Sequence, residues 1–415
     1  MKRCFLLSLC CFAALFVDVI PALPQAAGSS ADILGPNGVD AGDYVYVSAQ
    51  GPRGADGTTP TKFVDQVRQS LDNVKKVVES AGLTLEHVVY VQVYLEDMTH
   101  YSELNEVFAA YFPKEPPARG VLGVSHVPQP PLQITAVAVR DLQGKQAVSA
   151  PNIATSKAYS AGMLTHDRLF VSTMLGSDPA NGSVPKDPAS QVDLALDRLK
   201  SVLQAAGLTL GHMVFVNPYL TSEIPMRIMN EHYARRFEFG NTPGRATIEV
   251  SSLPEGAHIA YTGVAVRDLT KRQAIRPKNM PPSPTASPCV FAGDTLYCSA
   301  KSGFIPGPNG GVYAESTANQ TRQTMRNLLD NLEEAGLKYD DVVYSTIYLD
   351  DLSDAPQFGK VYKKYFGQFL PAQTTLAQLP PGNRKADEEG HYPDLEQVSL
   401  IAVSPHGAPK PHVLP

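Results

Sequence analysis

No stretch of this 415-residue chain is rich in lysine and arginine, and its net charge is −6. A protein held to nucleic acid by counterion release carries the opposite pattern, so that class is excluded as a main function. None of the ten histidines has another four residues away, and no Cys/His cluster has metal-ligand spacing, so no metal site is expected. Gly-x-Ser-x-Gly and phosphate-cradling glycine loops are both missing, which removes the signatures of a serine hydrolase and of a nucleotide-binding enzyme; no cofactor is implied. Cysteine is scarce: of five, Cys4, Cys10 and Cys11 fall in the leading stretch, leaving Cys289 and Cys298. Beyond the first residues no run is long and apolar enough to span a bilayer.

What is present describes folded protein. Hydrophobic residues make up 43% of the chain and charged ones 18%, and the length suits about three domains of ~100–200 residues. The chain opens with Met1-Lys2-Arg3, an apolar run from Cys4 to Val17, and small or turn residues from Pro21 to Ala27. This is the three-part pattern of a secretory signal peptide, taken as residues 1–27, with an uncleaved anchor as the alternative. It predicts an exported protein, periplasmic or secreted, with no membrane attachment after cleavage.

The remainder is one unit written three times, with a period of about 127 residues, far longer than a solenoid repeat. Pro117-Ala118-Arg119-Gly120-Val121 returns as Thr242-Pro243-Gly244-Arg245-Ala246 and, altered, as Leu370-Pro371-Ala372-Gln373-Thr374. Each is followed by an apolar strand such as Gln133-Ile-Thr-Ala-Val-Ala-Val-Arg-Asp. Within the first unit, Gly42-Asp43 between β-prone flanks reads as a hairpin turn. Val64, Val67, Leu71, Val74 and Val78 recur at helical spacing and Gly82 ends that helix. Val88–Leu95 is a strand, and 102–112 a second helix with Leu104, Phe108 and Tyr111 on one face. One unit is therefore ββαβαββ, an α+β fold with both helices on one face of a sheet, and packing among the three copies would cover the other face. The modules are read as 31–143, 156–270 and 286–405, joined by linkers Leu142–Thr155 and Leu269–Pro288. The Pro-rich tail from Ser404 is expected to be unpacked, and Pro218 marks its strand as an edge or a bulge.

The run Ala81-Gly-Leu-Thr-Leu, Val88-Val-Tyr-Val-Gln-Val-Tyr-Leu-Glu-Asp-Met, Leu104-Asn-Glu-Val-Phe, Tyr111-Phe-Pro and Pro116-Pro-Ala-Arg119 resembles the RidA family, also called YjgF or L-PSP. The resemblance is strong in the first copy, good in the second and weaker in the third. It implies homotrimers of the ββαβαββ unit around a central barrel, with ligand sites between neighbouring subunits, and hydrolysis of 2-imino or enamine acids to 2-keto acids and ammonia. Three copies in one chain would then make an intramolecular pseudo-trimer and a monomer in solution. The family's older ribonuclease label finds no basic surface to support it.

Carried over by position, Arg119 and Arg245 match the arginine that clamps the substrate carboxylate, a planar fork suited to that group. Gln373 stands there in the third copy, where it supplies no charge. Thr135, Thr262 and Ser399 stand where the family has a water-positioning glutamate; Thr135 and Thr262 are the candidate catalytic groups, although a hydroxyl is a poor base at neutral pH. Gln133 and Gln397 lie two residues earlier. Tyr159 belongs to a ligand-side segment clear only in the second copy. Ser48, Ser172 and Ser299 match a serine that faces the ligand, and Asn105 and Asn230 match an asparagine of the second helix that Gly359 replaces in the third copy. For each, an ordinary surface or strand position is the alternative. The function read from these residues is binding of small carboxylate metabolites between modules, with imine deamination, or a non-catalytic binding protein that kept the architecture.

The cysteine pair is read from the hairpin itself. With Gly293-Asp294 as the turn, counting outward sets Cys289 opposite Cys298 at a non-hydrogen-bonded position, where Cα atoms lie about 4.5 Å apart. A disulfide is therefore predicted, with two buried thiols as the alternative.

Overall fold

The computed structural model describes residues 35–278, 280–307, 310–405 and 410–415; the leading stretch read as a signal peptide lies outside them. The first module runs β1 (Gly38–Asp40), β2 (Tyr44–Gln50), α1 (Phe63–Ser80), β3 (Val88–Leu95), α2 (Tyr101–Tyr111), β4 (Ala118–Gly123) and β5 (Leu132–Val139). Next come β6 (Gln146–Val148), β7 (Gly162–Leu164), β8 (Arg168–Leu175), α3 (Pro188–Ala205), β9 (Met213–Leu220), α4 (Met226–Ala234), β10 (Gly244–Arg245), β11 (Ile248–Glu249) and β12 (Ile259–Val266). The last set is β13 (Arg272–Ile275), β14 (Cys289–Ala292), β15 (Thr295–Ser302), α5 (Thr317–Glu334), β16 (Val342–Leu349), α6 (Ala355–Tyr362), β17 (Ala372–Ala377), β18 (Glu396–Val403) and β19 (His412–Leu414). The ββαβαββ order holds in all three.

Local chemistry explains the elements. Val67, Leu71, Val74 and Val78 form the fully buried stripe of α1, and α3 and α5 repeat it. The glycine after each of these helices, Gly82, Gly207 and Gly336, has φ of +73°, +75° and +73°. Only glycine takes that left-handed cap without strain. Each sheet buries one face under its own two helices, giving three separate cores. The other faces meet around a shared centre, where Tyr94, Tyr219 and Tyr348 of the three modules join one apolar cluster.

Strand order shows how the chain closes. The sheets read β19-β1-β2-β5-β3-β4, β6-β7-β8-β12-β9-β10, and β13-β14-β15-β18-β16-β17. The outer strand of every sheet therefore comes from the segment that follows the previous module. Both supposed linkers donate a strand forward, and the tail returns to the first sheet, where Val413 pairs with Val39. The expectation of an unpacked tail fails because β1 would otherwise leave an open edge, the feature folded sheets cover. Leu414, buried, completes the first core.

Pro218 also departs from expectation. Its strand β9 is interior, flanked by β12 on one side and by β10 and β11 on the other. The interruption falls instead on the neighbour: Arg245 pairs with Val216 and Ile248 with Tyr219, and nothing pairs in parallel with Asn217 and Pro218. In the first module β4 runs unbroken along β3. A proline has no N–H to give the ladder, so the partner strand splits there.

Candidate functional site

Three clefts lie between modules and are built alike. The backbone N–H of Arg119 donates to Ser172 Oγ at 2.7 Å, that of Arg245 to Ser299 Oγ at 2.8 Å, and that of Gln373 to Ser48 Oγ at 3.0 Å. Each module thus docks on the hairpin of the next, and the third on the first. Each serine hydroxyl then donates to a carbonyl in its own module: Ser172 to Ser160, Ser299 to Ser287 and Ser48 to Pro36. These serines clasp module to module, and their single proton is spent in doing so.

Arg119 is the centre of the first cleft. Its side chain is only 2% exposed. One Nη donates to Asn105 Oδ1, while Nε and the other Nη make no well-formed hydrogen bond, the Tyr101 hydroxyl being the polar group near enough to favour the cation. Among the described residues no carboxylate pairs with it. Instead Cζ lies 4.7 Å from the Phe108 ring centre, 4.8 Å from Tyr159 and 5.7 Å from Tyr101. Tyr101, Asn105 and Phe108 share one face of α2, while Tyr159 comes from the second module. Burial pulls the guanidinium below its usual pKa. Ring quadrupoles soften the isolation of the cation, yet an unpaired buried charge with idle donors remains costly. The arrangement is an anion receptor. The cavity beside it is small, about 10 Å³, and Tyr101 and Tyr159 are among the residues that line it.

The second cleft repeats the plan. Arg245 donates to Asn230 Oδ1 at 2.8 Å and lies 5.2 Å from the Tyr233 ring centre. Again no acid among the described residues pairs with it, and burial lowers its pKa. Met226, 37% exposed, stands where the first module has Tyr101. In the third cleft the Gln373 amide is buried with neither nitrogen nor oxygen paired, and no cation replaces arginine.

The three hydroxyl positions lie elsewhere. Thr135, Thr262 and Ser399 line a central cavity of about 110 Å³ shared by the modules, together with seven tyrosines, among them Tyr90, Tyr219 and Tyr344. Thr135 Oγ1 donates to the Val47 carbonyl at 2.6 Å and lies 2.9 Å from the Tyr344 hydroxyl of the third module. Thr262 lies 3.1 Å from the Tyr219 hydroxyl and 3.3 Å from Asn217 Nδ2. The pocket beside Arg119 is lined by none of the three. Gln133, with an unpartnered buried oxygen, lies on the same strand face as Thr135.

The aromatic partners Tyr101 and Tyr233 escaped sequence reasoning, and Phe108 was read as core alone. Tyr101, Asn105 and Phe108 fall at i, i+4 and i+7, a signal that would have found them once Asn105 was chosen. In the third module's hairpin, Cys289 pairs with Cys298 in register, and their sulfurs are bonded with Cα atoms 4.0 Å apart.

The family described as Endoribonuclease L-PSP matches residues 35–140, 149–266 and 279–383. A RutC family protein of Pyrococcus horikoshii is 37% identical over 106 residues, which is 25% of this chain and 84% of that protein. The 2-iminobutanoate/2-iminopropanoate deaminase of Escherichia coli K12 is 36% identical over 114 residues, 26% of this chain and 89% of that one. The crystal structure of the YjgF gene product of E. coli aligns with a TM-score of 0.25 at 35% identity, covering 25% of this chain and 87% of that one.

Proposed function

Since the chain belongs to the Endoribonuclease L-PSP family, the RidA group, in three tandem copies, we propose that it binds small carboxylate-bearing metabolites in two of its three inter-module clefts. The observation that carries this reading is Arg119: a buried guanidinium with two idle nitrogens and, among the described residues, no paired acid. A carboxylate supplies the missing charge and an acceptor for the idle donors. Arg245 offers the same chemistry in a more open cleft, and Gln373 offers none. In this reading the protein is an exported monomer whose modules serve as each other's trimer partners.

A second reading, hydrolysis of 2-imino acids, is favoured by the deaminase at 36% identity. Against it stands the chemistry around Thr135 and Thr262, whose hydroxyls engage carbonyl, tyrosine and amide groups and offer no base at neutral pH. Calorimetry with 2-ketobutyrate tests the binding reading: two sites per chain are expected, and none after Arg119→Ala with Arg245→Ala. Ammonia release from an imino acid generated in place tests the second.

A further inference from the structure

The third module carries a polar site that the other two lack. Glu396 opens β18 opposite Leu349; the same position is Leu132 in the first module and Ile259 in the second. A core aliphatic has become a carboxyl that is only 2% exposed. Its Oε1 accepts from Thr324 of α5, and its Oε2 has no partner. It lines a cavity of about 250 Å³ together with Asp350, Gln378 and Asp394. Two buried acceptor oxygens on residues lining this cavity lack donors, Glu396 Oε2 and Gln378 Oε1, while Asp350 Oδ2 is ion-paired with Arg384 Nε. Gly382 and Asp394, the ends of the insertion 382–394, also line the cavity, and Arg384 of that insertion is ion-paired with Asp354 and with Asp350, the latter at 3.2 Å. No cation lies within ion-pair distance of Asp394 or Glu396 among the described residues, and Asp394 accepts only from Gln397 Nε2, at 3.0 Å, and weakly from the Glu396 amide.

We propose that this cavity is a binding site for a small ammonium group, either the ammonium ion or an aliphatic primary amine. The complementarity is one of count and sign. An ammonium carries three or more donors and no acceptor, and the cavity presents acceptors that nothing fills. Its acids sit in low dielectric, where an opposite charge is favoured most. The site is independent of the arginine clefts and of what they bind.

Protonation supplies a distinctive signature. Burial, with Asp394 adding to it, raises the Glu396 carboxyl to about 8, and burial raises Asp394 to about 6. The groups around Glu396 are Asp394 beside it, Asp350 beyond β16, Thr324 on α5 and Tyr313 in the loop after β15. At pH 7 Glu396 is mostly protonated, so an arriving ammonium must drive a proton off.

The test is calorimetric titration of the full chain with ammonium chloride and, separately, ethylammonium chloride, in buffers of different ionisation enthalpy. Saturable one-to-one binding is expected, weakening about tenfold per pH unit from pH 8 to pH 6, with heats that vary with buffer because close to one proton leaves. Tighter ammonium binding would assign the inorganic ion, and tighter ethylammonium binding an organic amine. Glu396→Leu, which restores the residue type of the other modules, and Glu396→Gln should each weaken binding at least tenfold. Absence of saturation with both probes overturns the proposal. So does equal binding of ethanol or potassium chloride, or affinity unchanged in both variants.

Discussion

Replacing Arg119 by methionine should make the protein more stable and less able to bind. Two guanidinium nitrogens are buried without a well-formed hydrogen bond, and each idle donor costs about 1–3 kcal/mol. The substitution forfeits the bond to Asn105, about 1.5–3 kcal/mol for a charged donor, and ring contacts of about 0.5–2 kcal/mol. Methionine keeps the volume and lies well against aromatic rings. These ranges nearly cancel, with a midpoint of about 0.5 kcal/mol in favour of methionine, and measured replacements of buried ions by apolar residues, neutral to stabilising by about 1–4 kcal/mol, set the direction. Urea unfolding at pH 7, with and without 2-ketobutyrate, reads both halves. Wild type should gain about 2.7 kcal/mol at a ligand concentration of 100 Kd. To leave the Arg245 cleft out of the comparison, Arg245→Ala should be the background for both forms. A destabilised Arg119→Met that still shows the full ligand shift would refute the argument, because Arg119 would then be a structural cation and the ligand would sit elsewhere.

Other outcomes follow from the module arrangement. Thr262 belongs to the module that docks on Arg119, whereas Thr135 faces Tyr344 of the module that carries Gln373; Thr262→Glu should therefore raise ammonia release by about 10²–10⁴, and Thr135→Glu should not, as a coupled ammonia assay will show. Thiol counting on denatured, unreduced protein should find Cys289 and Cys298 unreactive, and Cys289→Ser with Cys298→Ser should cost at most about 2–4 kcal/mol, since the loop is short. Leu414→Ala should lower stability by about 2–5 kcal/mol by emptying a core position, which chemical denaturation will measure. Glu396 has its pKa raised on folding to about 8, so the folded state holds a proton that the unfolded state has released; stability should fall as pH climbs from the ordinary carboxylate range to about 8, and Glu396→Gln should flatten that slope.

The fold was legible because it rests on local signals repeated three times. Apolar stripes at helical spacing, a glycine after each first helix and a two-residue turn at Gly42-Asp43 depend only on near neighbours, and each returns in place. The cross-module donations were not legible. Gln146–Val148, Arg272–Ile275 and His412–Leu414 are short, the last two next to Pro-rich stretches, and what makes them strands is an open edge on another module. The candidate site divides along the same line. Arg119 and Arg245 could be picked from a local motif, but the composition of a cleft depends on which module supplies its far wall. That is why Tyr159 appeared as an isolated feature of the second copy and proves to lie against an arginine of the first.

Covalent linkage explains the pattern of divergence among the modules. In a homotrimer every residue near the axis meets two copies of itself, and any change is made three times. Here the start of the second strand places Tyr44, Arg168 and Thr295 together. Arg168, buried, donates to the Tyr297 hydroxyl at 3.0 Å and to Thr295 Oγ1 at 3.2 Å, and its Cζ lies 4.2 Å from the Tyr44 ring centre. Asp167 completes its ion pair at 2.8 Å. Three arginines at this point would repel each other in low dielectric, so the cluster is available only to a chain whose copies differ. The same freedom allows one cleft to carry Gln373 where two carry arginine, and one core to carry Glu396 where two carry an aliphatic residue. A single-module protein making either change would alter every site at once. The tail strand on β1 keeps that asymmetry in order, because it ties the third module to the first and leaves only one sequence of modules around the ring.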